Sequence, residues 1–365
     1  MRRLALTLLF VLVPFAAACG GTAEPDAVEK AKPPTRQGLF IARPAGPAGP
    51  LTAYDARSLG RRFQLPSGIT SADGSAHFSL RGPVLSRFDP ITGVRMHTAR
   101  VGAGWTLAAV SASARWVALV RGETDVRVLD GATGKVAHDL SFAGDFLVET
   151  VADDGRFLFL QQTFVDGRYA VRGYDLAAGQ MLPGSLATKG ETVFMQGVAA
   201  GTVASPDGRW LLTLYVDTKR DAAFVHALNL QERFPLCIDM PPCKNCTIAE
   251  LRRWALALAP DGRTLYAANP ALGRVAEVHL PTARVIYSAR FAPDRSAGDT
   301  RATVSPDGSR LVFTNGARLW SYDTHRGFAQ SLQSQTDTIA DLGVSRDGNR
   351  LFVARPGAGP LAVAL

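Results

Sequence analysis

The sequence predicts an all-β fold, a β-propeller of four-stranded blades, and three observations carry that prediction. A short phrase built around Asp-Gly recurs in seven copies along the chain. The copies stand 40 to 54 residues apart. Each separates two apolar runs of strand length. A repeat of that period with strands inside it marks blades stacked around an axis.

The copies are Ser71-Ala-Asp-Gly, a degenerate Ser111-Ala-Ser-Ala, Ala152-Asp-Asp-Gly, Ser205-Pro-Asp-Gly, Ala259-Pro-Asp-Gly, Ser305-Pro-Asp-Gly and Ser345-Arg-Asp-Gly. Asp-Gly tolerates the positive φ of a tight hairpin, so each copy joins a first strand to a second. The second strand follows at once, as in Trp116-Val-Ala-Leu-Val, Phe157-Leu-Phe-Leu, Leu265-Tyr-Ala-Ala and Leu311-Val-Phe-Thr. A third ends in an acidic or polar turn, as in Val126-Arg-Val-Leu-Asp130-Gly-Ala-Thr-Gly134. A fourth, as at 136–140 and 284–291, leads into the next unit. No such unit covers its own apolar faces, so neighbours must stack and the ring must close.

Roughly 30 candidate strands fall between seven blades of four and eight. The seven turn copies favour seven blades, and eight stays open. The opening segment Leu39-Phe-Ile-Ala-Arg43-Pro-Ala-Gly-Pro is matched by the closing segment Leu351-Phe-Val-Ala-Arg355-Pro-Gly-Ala-Gly-Pro. The first unit lacks an innermost strand and the last an outermost one, so the two termini are expected to pair and complete a shared seam.

Ahead of the repeats, Met-Arg-Arg precedes an apolar run from Leu4 to Ala18, interrupted by Pro14 and followed by Cys19-Gly-Gly. A run of that length is too short for a membrane-spanning helix, which needs about 20 apolar residues, and reads as a secretory signal. Ala16, Ala17 and Ala18 before Cys19 resemble a bacterial lipobox, with Ala16 where Leu is usual, which makes Cys19 the acylated first residue of the mature chain. Residues 20–37 have Val28 as their one large apolar side chain and read as a flexible tether. The expected organisation is a signal over 1–19, a tether over 20–37 and a propeller over 38–365. It places the protein outside the cytoplasm, lipid-anchored to the outer side of a bacterial membrane at the cell surface or in the periplasm. The net charge is +8, part of it from Arg2 and Arg3 in the signal. No lysine-arginine block stands out, so nucleic acid is not an expected partner.

The stretch Ala259-Pro-Asp-Gly-Arg-Thr-Leu-Tyr-Ala-Ala-Asn269, followed by Gly273-Arg-Val-Ala-Glu-Val, resembles the YVTN-type propeller repeat. Ser305-Pro-Asp-Gly-Ser-Arg-Leu-Val-Phe-Thr-Asn315 is similar to the WD-like repeat of periplasmic Tol-system propellers. The resemblance runs from Gly38 to Leu365 and implies the fold. Its functions range from scaffolds to lactonases.

Chemistry-bearing residues are sparse. Cys237, Cys243 and Cys246 share one long inter-blade loop, and outside the cytoplasm a disulfide from Cys237 to Cys243 or Cys246 is expected, with one thiol left over. Thr247 stands where covalent haem attachment at Cys243-Lys-Asn-Cys246 requires histidine. The six histidines fall in different units, and no nucleophile elbow, phosphate loop or His-Glu-x-x-His helix occurs. No cofactor and no metal is implied. A ring pattern remains. Seven residues after each turn glycine or its Ala114 equivalent stand Arg81, Arg121, Gln162, Tyr215, Asn269, Asn315 and Arg355, and Arg43 takes the matching place in the opening segment. Such side chains either brace neighbouring blades or line a polar, partly basic mouth for a protein, an anionic ligand or a glycan. With the long insertions they define one face, to which Lys219 and Arg220 add charge. The expected function is a non-catalytic binding or scaffold module, with a lactonase-like hydrolase as the alternative.

Overall fold

The computed structural model describes residues 38–186, 195–296, 298–332 and 334–365; the signal and tether lie outside the described residues. The fold is built up from the Asp-Gly turns. In four of them a serine donates to the aspartate two residues on: Ser71 to Asp73, Ser205 to Asp207, Ser305 to Asp307 and Ser345 to Asp347. The aspartate then accepts the backbone N–H two residues later, as Asp207 does from Arg209 and Asp307 from Ser309. The turn glycines adopt φ between 66° and 76°, and Ala114 is forced to 61° in the degenerate copy.

These turns organise eight antiparallel sheets, and the structure is an eight-bladed propeller. Blades 2 to 7 each carry four consecutive strands paired in chain order, blade 4 adding the short strand Met195–Gln196. Blade 1 has three strands, Leu39–Ala42, Pro50–Asp55 and Arg61–Ser67, and blade 8 has Asp341–Val344, Arg350–Ala354 and Leu361–Ala364. The preference for seven is thus corrected to eight, for a local reason. Blade 1 begins at its second strand and owns no Asp-Gly turn, so counting those turns passes over it. A second turn series marks it. Asp55 accepts from the N–H groups of Arg57 and Ser58 at the end of a third strand, as Asp89, Asp130, Asp175, Asn229 and Asp323 do in their blades.

The matched end segments lie in two separate sheets, and no ladder joins them among the described residues. They meet through side chains. Phe40 stacks on Phe352 with ring centroids 5.2 Å apart, within a cluster that includes Ala42, Tyr54 and Ala354. The Arg43 N–H donates to Asp341 Oδ2 at 2.8 Å.

Apolar clusters fill the spaces from blade 2 round to blade 1. They run from Phe78, Leu85 and Trp105 between blades 2 and 3 to the largest, around Trp210, Leu212, Val225 and Trp254, between blades 5 and 6. At the contact between blades 1 and 2, Leu51, Ala53 and Leu65 are buried and Phe63 lies against Gly93. Two grooves open beside it, of about 460 and about 720 Å³.

Candidate binding face

Antiparallel strands send the second-to-third hairpins and the blade-to-blade connections to one rim and leave the Asp-Gly and third-to-fourth turns on the other. The first, or connection rim, carries the long excursions at 239–255, 290–302 and 331–341. The other is a rim of short turns.

Most of the ring residues brace the connection rim. Asn269 is fully buried, donates to the Glu250 carbonyl at 2.8 Å and accepts from the Leu272 N–H. Asn315 donates to the carbonyls of Asp294 and Ser296. Tyr215 is buried, donates to Gln161 at 2.8 Å and stacks on Tyr169. Gln162 accepts from Arg172. Arg355 bridges Asp337 and the Gly359 carbonyl, and Arg121 pairs with Asp125 while lying 4.7 Å over Trp105. Arg81 and Lys219 are exposed.

Arg43 occupies the seam itself. Its guanidinium donates to the carbonyls of Gly49 and Gly68 and reaches Thr70 Oγ1 at 3.4 Å. Thr70 is 2.9 Å from His77 Nδ1, and His77 Nε2 lies 2.8 Å from the Pro66 carbonyl. A carbonyl only accepts, so Nε2 carries the proton and Nδ1 accepts from Thr70. Burial pushes the His77 pKa down to about 4, which keeps the ring neutral. Arg43, Thr70 and Asp341 all line the smaller groove.

A second arrangement on this rim leaves no trace in the local sequence pattern. Three arginines lie exposed over carboxylates that are themselves enclosed. Arg220 meets Asp217 at 2.6 Å, their side chains 68% and 2% exposed. Arg295 meets Glu250 at 3.3 Å with 74% and 15%, and Arg318 meets Asp294 at 3.3 Å with 54% and 5%. Burial opposes the charge of Asp217, yet bonds from Arg220 and from the backbone of Lys219 hold its pKa below the usual value. At Asp294 burial is likewise outweighed by Ser296, Asn315 and Arg318. Glu250 is held low chiefly by the backbone N–H of Thr247, whose side chain caps the short helix Ile248–Leu251. Of these arginines only Arg220 was among the expected ligand residues. The others pair with acids from a different inter-blade segment or hairpin, and spacing along the chain carries no trace of that.

The cysteine pairing is also corrected. The disulfide joins Cys243 to Cys246 in the exposed connection, and Cys237 is not part of it. Cys237 sits in the strand Phe234–Asp239, its side chain held between blades 4 and 5, away from the loop that carries the other two. Cys19 lies outside the described residues. Among the described residues no three His, Cys, Asp or Glu side chains gather as a metal site.

No protein-family model and no curated protein matches this sequence. Among solved structures, the chain is similar to dihydro-heme d1 dehydrogenase NirN in complex with DHE, at TM-score 0.55 and 15% identity over 87% of this chain and 68% of that one. Hydrazine synthase of Kuenenia stuttgartiensis matches at TM-score 0.47 and 14% identity over 88% and 100%. BamB from Moraxella catarrhalis matches at 0.48 and 12% over 89% and 91%. At such identities the likeness to NirN concerns the fold alone.

Proposed function

We propose that this propeller is a lipid-anchored binding or scaffold module that engages an anionic partner through its connection rim. The exposed guanidinium groups of Arg220, Arg295 and Arg318 over enclosed carboxylates support this reading. Each is held by one charge-assisted contact while more than half of its side chain stays exposed, an arrangement that suits planar recognition of carboxylate or sulfate. The carboxylate beneath each arginine also limits the general attraction that a bare cationic patch exerts, so geometry contributes more than net charge.

The test uses polyglutamate as the probe and isothermal titration as the readout. Converting Arg220, Arg295 and Arg318 together to Gln is expected to weaken binding about tenfold or more, in line with the loss of several rim contacts. The same exchange on the turn rim, at the exposed Arg209, Arg263 and Arg326, removes equal charge and is expected to change little. Equal losses from both rims, or loss from the turn rim alone, contradict the reading.

Anchoring is tested separately. The wild-type chain is expected to incorporate radiolabelled fatty acid and to sediment with membranes, and Cys19→Ser to do neither. A wild-type chain that never takes up label removes the anchor from the proposal.

A further inference from the structure

Between blades 4 and 5 the structure gathers sulfur and imidazole in an enclosed space. Cys237 Sγ lies 3.8 Å from Met195 Sδ. Cys237 stands directly opposite His226 in the ladder of the strands Ala222–Asn229 and Phe234–Asp239, so both side chains leave the sheet on the same side. His226 is fully buried, and neither of its ring nitrogens has a hydrogen-bond partner. Its ring meets Tyr215 edge to face at 6.1 Å, and Tyr215 shares one cluster with Tyr169, Phe224, Met195 and Cys237. Buried polar groups are nearly always bonded, so an imidazole with two idle nitrogens beside a thiol and a thioether asks for a ligand.

We propose that Cys237, Met195 and His226 form a buried binding site for a soft monovalent metal ion, Cu(I). Two ligands about 2.3 Å from one ion and 110–120° apart are themselves roughly 3.8–4.0 Å apart, which is the sulfur-sulfur span observed. Thiolate and thioether donors select Cu(I), and imidazole suits it as well. Charge points the same way. On binding, the thiol gives up its proton and the resulting thiolate cancels the single positive charge, so a neutral unit enters the low-dielectric gap. A neutral imidazole carries one nitrogen lone pair, and both ring nitrogens of His226 are unengaged.

The test takes the full chain with Cys243–Cys246 kept oxidised and titrates it anaerobically with Cu(I), supplied as its acetonitrile complex, against the chromophoric chelator bicinchoninate. The parent is expected to withdraw one equivalent more than Cys237→Ser. Met195→Leu and His226→Phe are expected to lose at least about tenfold in affinity, the scale for disturbing a metal site. His226→Phe is expected to melt no lower than the parent, which separates loss of a ligand from loss of the fold. Copper absorption spectra are expected to show sulfur and nitrogen neighbours together. Equal affinity and stoichiometry in the parent, Cys237→Ser and Met195→Leu overturn the site, as does tighter retention of Zn(II) than of Cu(I).

Discussion

Removing residues 350–365 is expected to abolish the cooperative thermal transition. The cut takes Leu351 and Val353 out of the cluster they form with Val312, Leu319, Ile339 and Leu342. It also takes Phe352 and Ala354 away from Phe40, Ala42 and Tyr54. Each large apolar side chain contributes about 1.5–3 kcal/mol, so three of them approach the whole stability of an ordinary domain, about 5–15 kcal/mol. Blade 1 suffers most. Its blade-8 side is the cluster just lost, which leaves it only its contacts with blade 2 around Leu51, Phe63 and Leu65. Calorimetry on the truncated chain checks this, and a transition as sharp and as high as the parent's refutes it.

Glu149→Gln is expected to stabilise the metal-free protein on the order of 3 kcal/mol at pH 8 and hardly at all at pH 4. Glu149 lies between blades 4 and 5, its Oε2 cut off from solvent and without a hydrogen-bond partner, although the residue as a whole keeps some surface. Burial raises its pKa from 4.5 to about 7. Below pH 4.5 the group is protonated in both the folded and the unfolded chain and costs nothing. As pH rises toward 7 the unfolded chain ionises first and stability falls. Above 7 the loss is complete and constant. Urea titrations of parent and variant at the two pH values measure the difference, and an equal effect at both counts against an enclosed carboxyl.

What the sequence made legible was whatever backbone geometry demands locally. Positive φ at Gly74, Gly155, Gly208, Gly262, Gly308 and Gly348 favours glycine, and those residues announced the blades. The blade count was also present, in the turns at Asp55, Asp89 and Asp130, but it needed the two turn series read together. The rim was visible as a set of second-strand ends. What those ends do was not visible, because Asn269 and Asn315 satisfy carbonyls of connections whose course no local pattern fixes. The pairs Arg295 with Glu250 and Arg318 with Asp294 exist only once separate segments cross over the same rim. Cys237 misled for a similar reason. Proximity in sequence suggested its neighbours Cys243 and Cys246, while strand alternation turned it into the space between blades.

The place where the described chain enters blade 1 sets how the ring responds to load. The described chain enters at Gly38, beside the turn at Asp55 and Ala56, on the rim opposite the exposed arginines. A pull on the chain ahead of Gly38 therefore acts first on blade 1, which has three strands among the described residues. Force along that line works against the ladder between Leu39–Ala42 and Pro50–Asp55 and against the contacts with blade 8 made by Phe40 and by the Arg43 N–H. Blade 1 should yield first, as a short compliant element in series with a stiff seven-blade body. In a pulling experiment it appears as a small extension step well before the main rupture.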